Sequence, residues 1–204
     1  MTVVASTRDV VMLDSGGCNL ASVQFAFERL GVVAELTRDI ERIRRATHVV
    51  LPGVGAARPG MQRLRDAGLD RIIPTLTQPV LGVCLGMQLL FEASEESETP
   101  CLGIIPGRLT RFDPERCKRV PHMGWNNLVA RRASPLLDGL DADAYAYFVH
   151  SYAAPVSAAT VATCDYGGEF SAVVSQGNFH GAQFHPERSA EVGARLLRNF
   201  LELT

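Results

Sequence analysis

Short apolar runs alternate with helical spacings through the first half of the chain. Val10-Val-Met-Leu-Asp14, followed by Ser-Gly-Gly, predicts a buried strand that ends in a tight turn. Leu20, Val23, Phe27 and Leu30 then fall three or four apart and predict a helix, with Gly31 at its stop position. Residues 32–36 predict a second strand and 47–51 a third, cut off by Pro52-Gly53. Met61, Leu64 and Leu69 mark a weaker helix. Residues 78–83 predict a fourth strand, with 85–91 as the helix behind it. Strands alternating with helices indicate βαβ units, and so an α/β fold built on an open, mostly parallel sheet flanked by helices.

The second half has a different texture. Residues 102–132 are turn-rich, with Pro106-Gly107, Asp113-Pro114 and Pro121. Short strands at 145–149, 160–164, 172–175 and 180–184 predict an added antiparallel region. After Ser189, the spacing of Val192, Leu196, Phe200 and Leu203 predicts a closing helix, with Glu191 near its positive end. No internal repeat or linker interrupts the 204 residues, which read as one domain, 1–204.

Composition narrows the function classes. Twenty Lys and Arg against 22 Asp and Glu leave a net charge of −2, which argues against a nucleic-acid surface or a polybasic membrane anchor. No apolar run approaches the roughly 18 residues of a spanning helix. The first ten residues lack the apolar core of a secretory signal. Cys18, Cys84, Cys101, Cys117 and Cys164 form no C-x-x-C pair, so neither a zinc site nor a disulfide framework is expected. The expectation is a cytoplasmic protein with reduced thiols, no metal and no cofactor.

Chemistry concentrates in two short stretches. Gly82-Val-Cys84-Leu-Gly86 lies between a predicted strand and a predicted helix, the setting of a nucleophile elbow. Amides at the helix start would favour a thiolate, the reactive form of cysteine. A buried structural cysteine in a tight turn fits the pentad equally well. Among five histidines, only His185 stands two residues before a carboxylate, in Gln183-Phe-His185-Pro-Glu187. An extended backbone before proline puts His185 and Glu187 on one face, so that Glu187 can fix the imidazole tautomer. By itself, His-Pro-Glu also suits a surface turn. Together the stretches point to a Cys-His-Glu triad. Oxyanion donors are then needed. The Leu85 amide is one candidate, and the Val54 and Gly55 amides of Pro52-Gly-Val-Gly55 supply others at the end of the third strand.

Gly82-Val-Cys84-Leu-Gly-Met-Gln88 together with Phe184-His185-Pro-Glu187 resembles the class I glutamine amidotransferases. Pro52-Gly-Val-Gly55, Val120-Pro-His-Met-Gly-Trp-Asn126, Tyr147-Phe-Val-His-Ser-Tyr152 and Gln183-Phe-His-Pro-Glu-Arg-Ser189 narrow the likeness to the glutaminase subunits of imidazole glycerol phosphate synthases. The resemblance implies glutamine hydrolysis by Cys84, His185 and Glu187, without a cofactor. It implies that Gln88, Glu96, His150, Ser151 and Tyr152 hold the amino-acid end of glutamine. It also implies that Asn19, Met123, Trp125 and Arg188 face a partner cyclase, a (β/α)8 barrel that receives the ammonia in a heterodimer. Glu96 sits in a run with Glu92, Glu95 and Glu98 that also suits a solvated surface. Ser15, Cys18, Ala57 and Arg188 depart from the usual motif residues. A stand-alone cysteine hydrolase would explain the elbow and His185 but not the Gln88, Trp125 and His150 motifs. A degenerate binding module would not need a complete triad.

Overall fold

The structure, a computed structural model, describes residues 8–14, 20–117 and 119–204. The first half contains β1 (Val10–Leu13), α1 (Leu20–Glu28), β2 (Ala34–Thr37), α2 (Ile40–Arg45), β3 (His48–Leu51), α3 (Ala57–Asp66), α4 (Leu69–Ile72), β4 (Val80–Val83) and α5 (Leu85–Leu89). There follow β5 (Phe91–Ser94), β6 (Thr99–Pro100), β7 (Ile105–Arg111), β8 (His122–Asn127), β9 (Val129–Ala130), β10 (Tyr145–His150) and β11 (Tyr152–Ala153). The chain closes with β12 (Thr160–Asp165), β13 (Glu169–Gln176), β14 (Phe179–Ala182) and α6 (Ala190–Leu201).

Eight strands form the main sheet in the order β2-β1-β3-β4-β14-β13-β12-β9. The pairings from β2 through β14 are parallel, and those beyond β14 are antiparallel. This is the expected α/β sheet with its antiparallel extension. Alternate strand residues feed two cores. Val10 and Met12 join Phe27 of α1 and Leu196 and Phe200 of α6, while Val11 and Leu13 join Ile43, Met61, Leu64 and Leu85 on the other face. A period of two along each strand therefore separates two helical layers.

Several elements differ from the periodicity reading. The expected helix through Leu69 breaks at Gly68, which takes φ 67° between α3 and α4. The helix expected over 85–91 stops at Leu89. Phe91 instead opens β5, because Leu89-Leu90-Phe91 has no helical period and β5 finds partners in β6 and β7. Asp39 caps α2 by accepting from the Glu41 and Arg42 amides, a helix too short to show in the apolar pattern. The turn-rich stretch contains β7 and β8, and β8 pairs with β10 in a separate two-stranded sheet. Most consequentially, β14 lies parallel beside β4, with Ala182 opposite Val83. The carboxyl ends of these two central strands hold the two chemical motifs.

Candidate active site

Cys84 stands between β4 and α5 at φ 53° and ψ −110°, a conformation L-residues rarely adopt. Close approach on both sides makes the flanking glycines necessary. A Cβ on Gly82 would lie 2.6 Å from the Met87 nitrogen, and one on Gly86 would lie 1.8 Å from the Leu51 carbonyl. The Cys84 amide donates to the Ala182 carbonyl at 2.8 Å, which ties the elbow directly to β14.

Three residues beyond β14, the His185 amide donates to the Tyr147 carbonyl of β10 at 2.9 Å. The Ser189 hydroxyl donates to the His185 carbonyl at 2.7 Å and accepts from the Tyr147 amide at 2.9 Å. These bonds hold the turn rigid. Gly193 lets α6 pack on it, since a Cβ there would lie 1.9 Å from the Pro186 carbonyl. His185 Nδ1 meets Glu187 Oε1 at 2.9 Å, both side chains being buried. Burial works against the charged imidazolium. The hydrogen bonds from Cys84 and Glu187, with the charges of those groups, outweigh it and raise His185 to about 10. A carboxylate-oriented imidazole beside a strained cysteine is the arrangement acyl transfer requires.

A cavity of about 520 Å³ opens over Cys84 and His185. Its wall includes Val54, Gly55 and Leu85, Gln88 and Glu96, and His150, Ser151 and Tyr152. These are the residues that the two motifs and the resemblance named, drawn from five separate stretches of chain. Glu96 is not a freely solvated member of its charge run: its Oε2 accepts from the Ala57 amide at 2.7 Å, at the first turn of α3. The Leu85 amide does not point into open space. It donates to the Gly53 carbonyl at 3.3 Å.

Two lining or neighbouring residues, Gln183 and Pro121, were not assigned roles from sequence. Gln183 is fully buried, its Nε2 lies 3.9 Å from Cys84 Sγ, and its Oε1 accepts from Gln88 Nε2 at 3.0 Å. Gln88 Nε2 also donates to the Tyr152 carbonyl at 3.0 Å. A glutamine between Ala182 and Phe184, in an otherwise apolar stretch, was the signal available. Pro121 joins the cavity wall from the loop before β8.

The residues expected at a partner surface form an exposed cluster. Met123 and Trp125 are 53% and 52% exposed on one face of β8. The Trp125 and Tyr147 rings lie 6.0 Å apart, and the Arg188 guanidinium sits 5.4 Å from the Tyr147 ring. Asn19, with Ser15 and Cys18, lies outside the described residues. No helix among the described residues is long and apolar enough to cross a membrane.

Comparison with known proteins agrees with this geometry. The family profile "Glutamine amidotransferase class-I" matches residues 11–203. The chain is 58% identical to the imidazole glycerol phosphate synthase subunit HisH of Xanthomonas axonopodis pv. citri, covering 96% of this chain and 98% of that one. It is 56% identical to the same subunit of Xylella fastidiosa strain Temecula1, with the same coverage. A crystal structure of a glutamine amidotransferase superposes with a TM-score of 0.73 at 22% identity, covering 95% of this chain and 97% of that one. The strained cysteine, the histidine–glutamate pair and the family match agree: the chain belongs to the class I glutamine amidotransferases.

Proposed function

We propose that this chain, one domain over residues 1–204, is the cytoplasmic glutaminase subunit of an imidazole glycerol phosphate synthase. It hydrolyses glutamine to glutamate and passes ammonia to a (β/α)8-barrel cyclase, which forms imidazole glycerol phosphate and AICAR in histidine biosynthesis. The supporting observation is the meeting of Cys84 and His185 in one cavity, with Glu187 bonded to His185, in a chain 58% identical to such a subunit over nearly its full length.

The amino-acid end of glutamine has complementary groups. Both Gln88 Nε2 hydrogens are spent on Tyr152 and Gln183, which leaves Gln88 Oε1 to accept from the substrate ammonium. The Glu96 carboxylate supplies the opposite charge, and Ser151 and Tyr152, in the wall of the same cavity, receive the carboxylate end. Cys84 Sγ attacks the carbonyl carbon (Cδ) of the γ-carboxamide, so that a C–S bond forms and the carbonyl π electrons move onto oxygen. The C–N bond then breaks as His185 gives its proton to the leaving nitrogen, releasing ammonia. Water, deprotonated by His185, attacks the glutamyl thioester. The C–S bond breaks, glutamate leaves and the thiolate returns. Glu187 holds the imidazole in one tautomer throughout.

The Gly53 carbonyl and the Val54 amide belong to one peptide group. While that carbonyl holds the Leu85 amide, the oxyanion site lacks both donors. A turn of this peptide frees Leu85 and presents Val54 in a single motion, so cyclase docking can gate hydrolysis there. Met123, Trp125 and Arg188 supply the docking face.

Glutamate release from glutamine, measured with and without the cyclase and its ligand, tests the assignment. Release stimulated by the loaded cyclase is expected. No release in the complete mixture overturns it.

A further inference from the structure

His122 and His150 are buried and lie directly opposite each other across β8 and β10. His150 also lines the substrate cavity, whereas His122 has no part in the chemistry above. Their hydrogen bonds can be directed from the ends inward. The Tyr152 carbonyl can only accept, so His150 Nδ1, 2.8 Å away, carries a proton. In the neutral ring, His150 Nε2 is then an acceptor, and it faces His122 Nδ1 at 3.4 Å, which must donate. His122 Nε2 is left bare and faces Asn126 Nδ2 at 3.4 Å. The Asn126 amide cannot be turned around, because Nδ2 also donates to the Asp165 carbonyl at 2.9 Å and Oδ1 accepts from the Asn127 amide at 2.9 Å.

We propose that His122 is a positioning residue for glutamine binding: by donating to His150 it fixes that ring's tautomer, and with it the Tyr152 carbonyl that also anchors Gln88. The inference rests on the glutaminase reading and deepens it. His122 itself touches no substrate. Its ring lies between Phe148, with centroids 4.9 Å apart, and Tyr166, 4.0 Å apart, so only the ring edge is available for polar contact. His150 meets Phe112 in a tilted contact and Phe170 edge-on, with centroids 5.2 and 5.1 Å apart. Burial lowers His122 to about 4 and His150 to about 3, with His122 and His185 adding to the second shift, so both rings are neutral at pH 7. A neutral buried pair has one consistent proton arrangement here, and reversing it would leave Tyr152 facing a lone pair.

Long-range 1H–15N spectra of histidine-labelled protein in its cyclase complex read the tautomers directly. Both His122 and His150 are expected to carry hydrogen on Nδ1 with Nε2 bare. An Nε2-protonated His150 overturns the proposal, whatever any variant does. Kinetics then separate positioning from packing. His122→Phe keeps the stacked ring and removes the donor, whereas His122→Asn keeps a donor at the Nδ1 position and removes the stacking. His122→Phe is expected to raise KM for glutamine about tenfold, the scale of one lost buried hydrogen bond, with kcat held within about twofold. His122→Asn is expected to restore KM to within about threefold of the parent. The opposite order, Phe silent and Asn impaired, shows that the ring only fills space and overturns the proposal. If the parent complex releases no glutamate, the glutaminase reading fails, and the spectra still report the tautomers.

Discussion

The Leu85 amide and the Gly53 carbonyl are bonded at 3.3 Å, so the donor nearest the nucleophile is engaged by the loop that should supply the second donor. Gly55 permits this loop geometry at φ 95°, which proline cannot adopt. Gly55→Pro is therefore expected to lower cyclase-stimulated glutamate release by roughly 10²–10³-fold, the cost of losing an oxyanion donor. Affinity for the cyclase should stay within a few-fold. Matched kinetic and binding titrations check this, and equal losses in both would place the defect in assembly.

Strain at Cys84 has a stability signature. At φ 53°, glycine is the relaxed residue and alanine is not. Both Cys84→Gly and Cys84→Ala should abolish glutaminase activity. Cys84→Gly is expected to be the more stable by about 1 kcal/mol in urea unfolding, reversing the usual order at the start of a helix.

Thiol chemistry should be selective. Burial raises Cys101 to about 11 and Cys164 to about 12, which holds both as unreactive thiols. A glutamine-mimicking electrophile is expected to label Cys84, and peptide mapping checks it. Labelling centred on Cys101 or Cys164 with Cys84 spared would count against Cys84 as nucleophile.

His185 and Glu187 serve only the glutaminase half. Alanine at either position should cut glutamine-dependent synthesis by at least about 10³-fold, the scale of losing a triad member. Ammonium-dependent synthesis by the same complex should be retained. Parallel assays with the two nitrogen sources check it, and a matching loss with ammonium would give these residues a scaffolding role.

Acid should weaken the fold well above the carboxylate range. Burial lowers His122 and His180 to about 4 and His150 to about 3. Unfolding lets them bind protons near pH 6.5, so their stabilisation is complete above that pH and is lost as pH falls towards 4. The slope is at most about 1.4 kcal/mol per pH unit per histidine. His185 behaves oppositely. Its contribution is full below about pH 6.5 and fades as pH rises to about 10. Urea midpoints measured from pH 4.5 to 10 test both limbs, and a flat profile between pH 5 and 7 contradicts the first.

Local pattern was enough to reveal what depends on local chemistry. Apolar runs marked β1, β3 and β4, because a strand buried on both faces must be continuously apolar. The glycines around Cys84 and the pair His185–Glu187 announced their roles, since an elbow and a tautomer clamp are each built within five residues. Glu96 and Gln183 were harder to read. A carboxylate within an acidic run and an amide in an apolar strand acquire meaning only from the Ala57 amide and the Cys84 thiol, 39 and 99 residues away in sequence.

Tertiary structure alone decided how these parts meet. Nothing in the period of residues 179–182 says that β14 runs parallel beside β4, yet that pairing brings Gln183 and His185 to Cys84. The directed chain from Asn126 through His122 and His150 to Tyr152 likewise depends on β8 lying against β10. The chain's residue types set which chemistry was available. Long-range strand pairing, which carries no local signature because partner choice is made by the burial of whole faces, decided where that chemistry could occur.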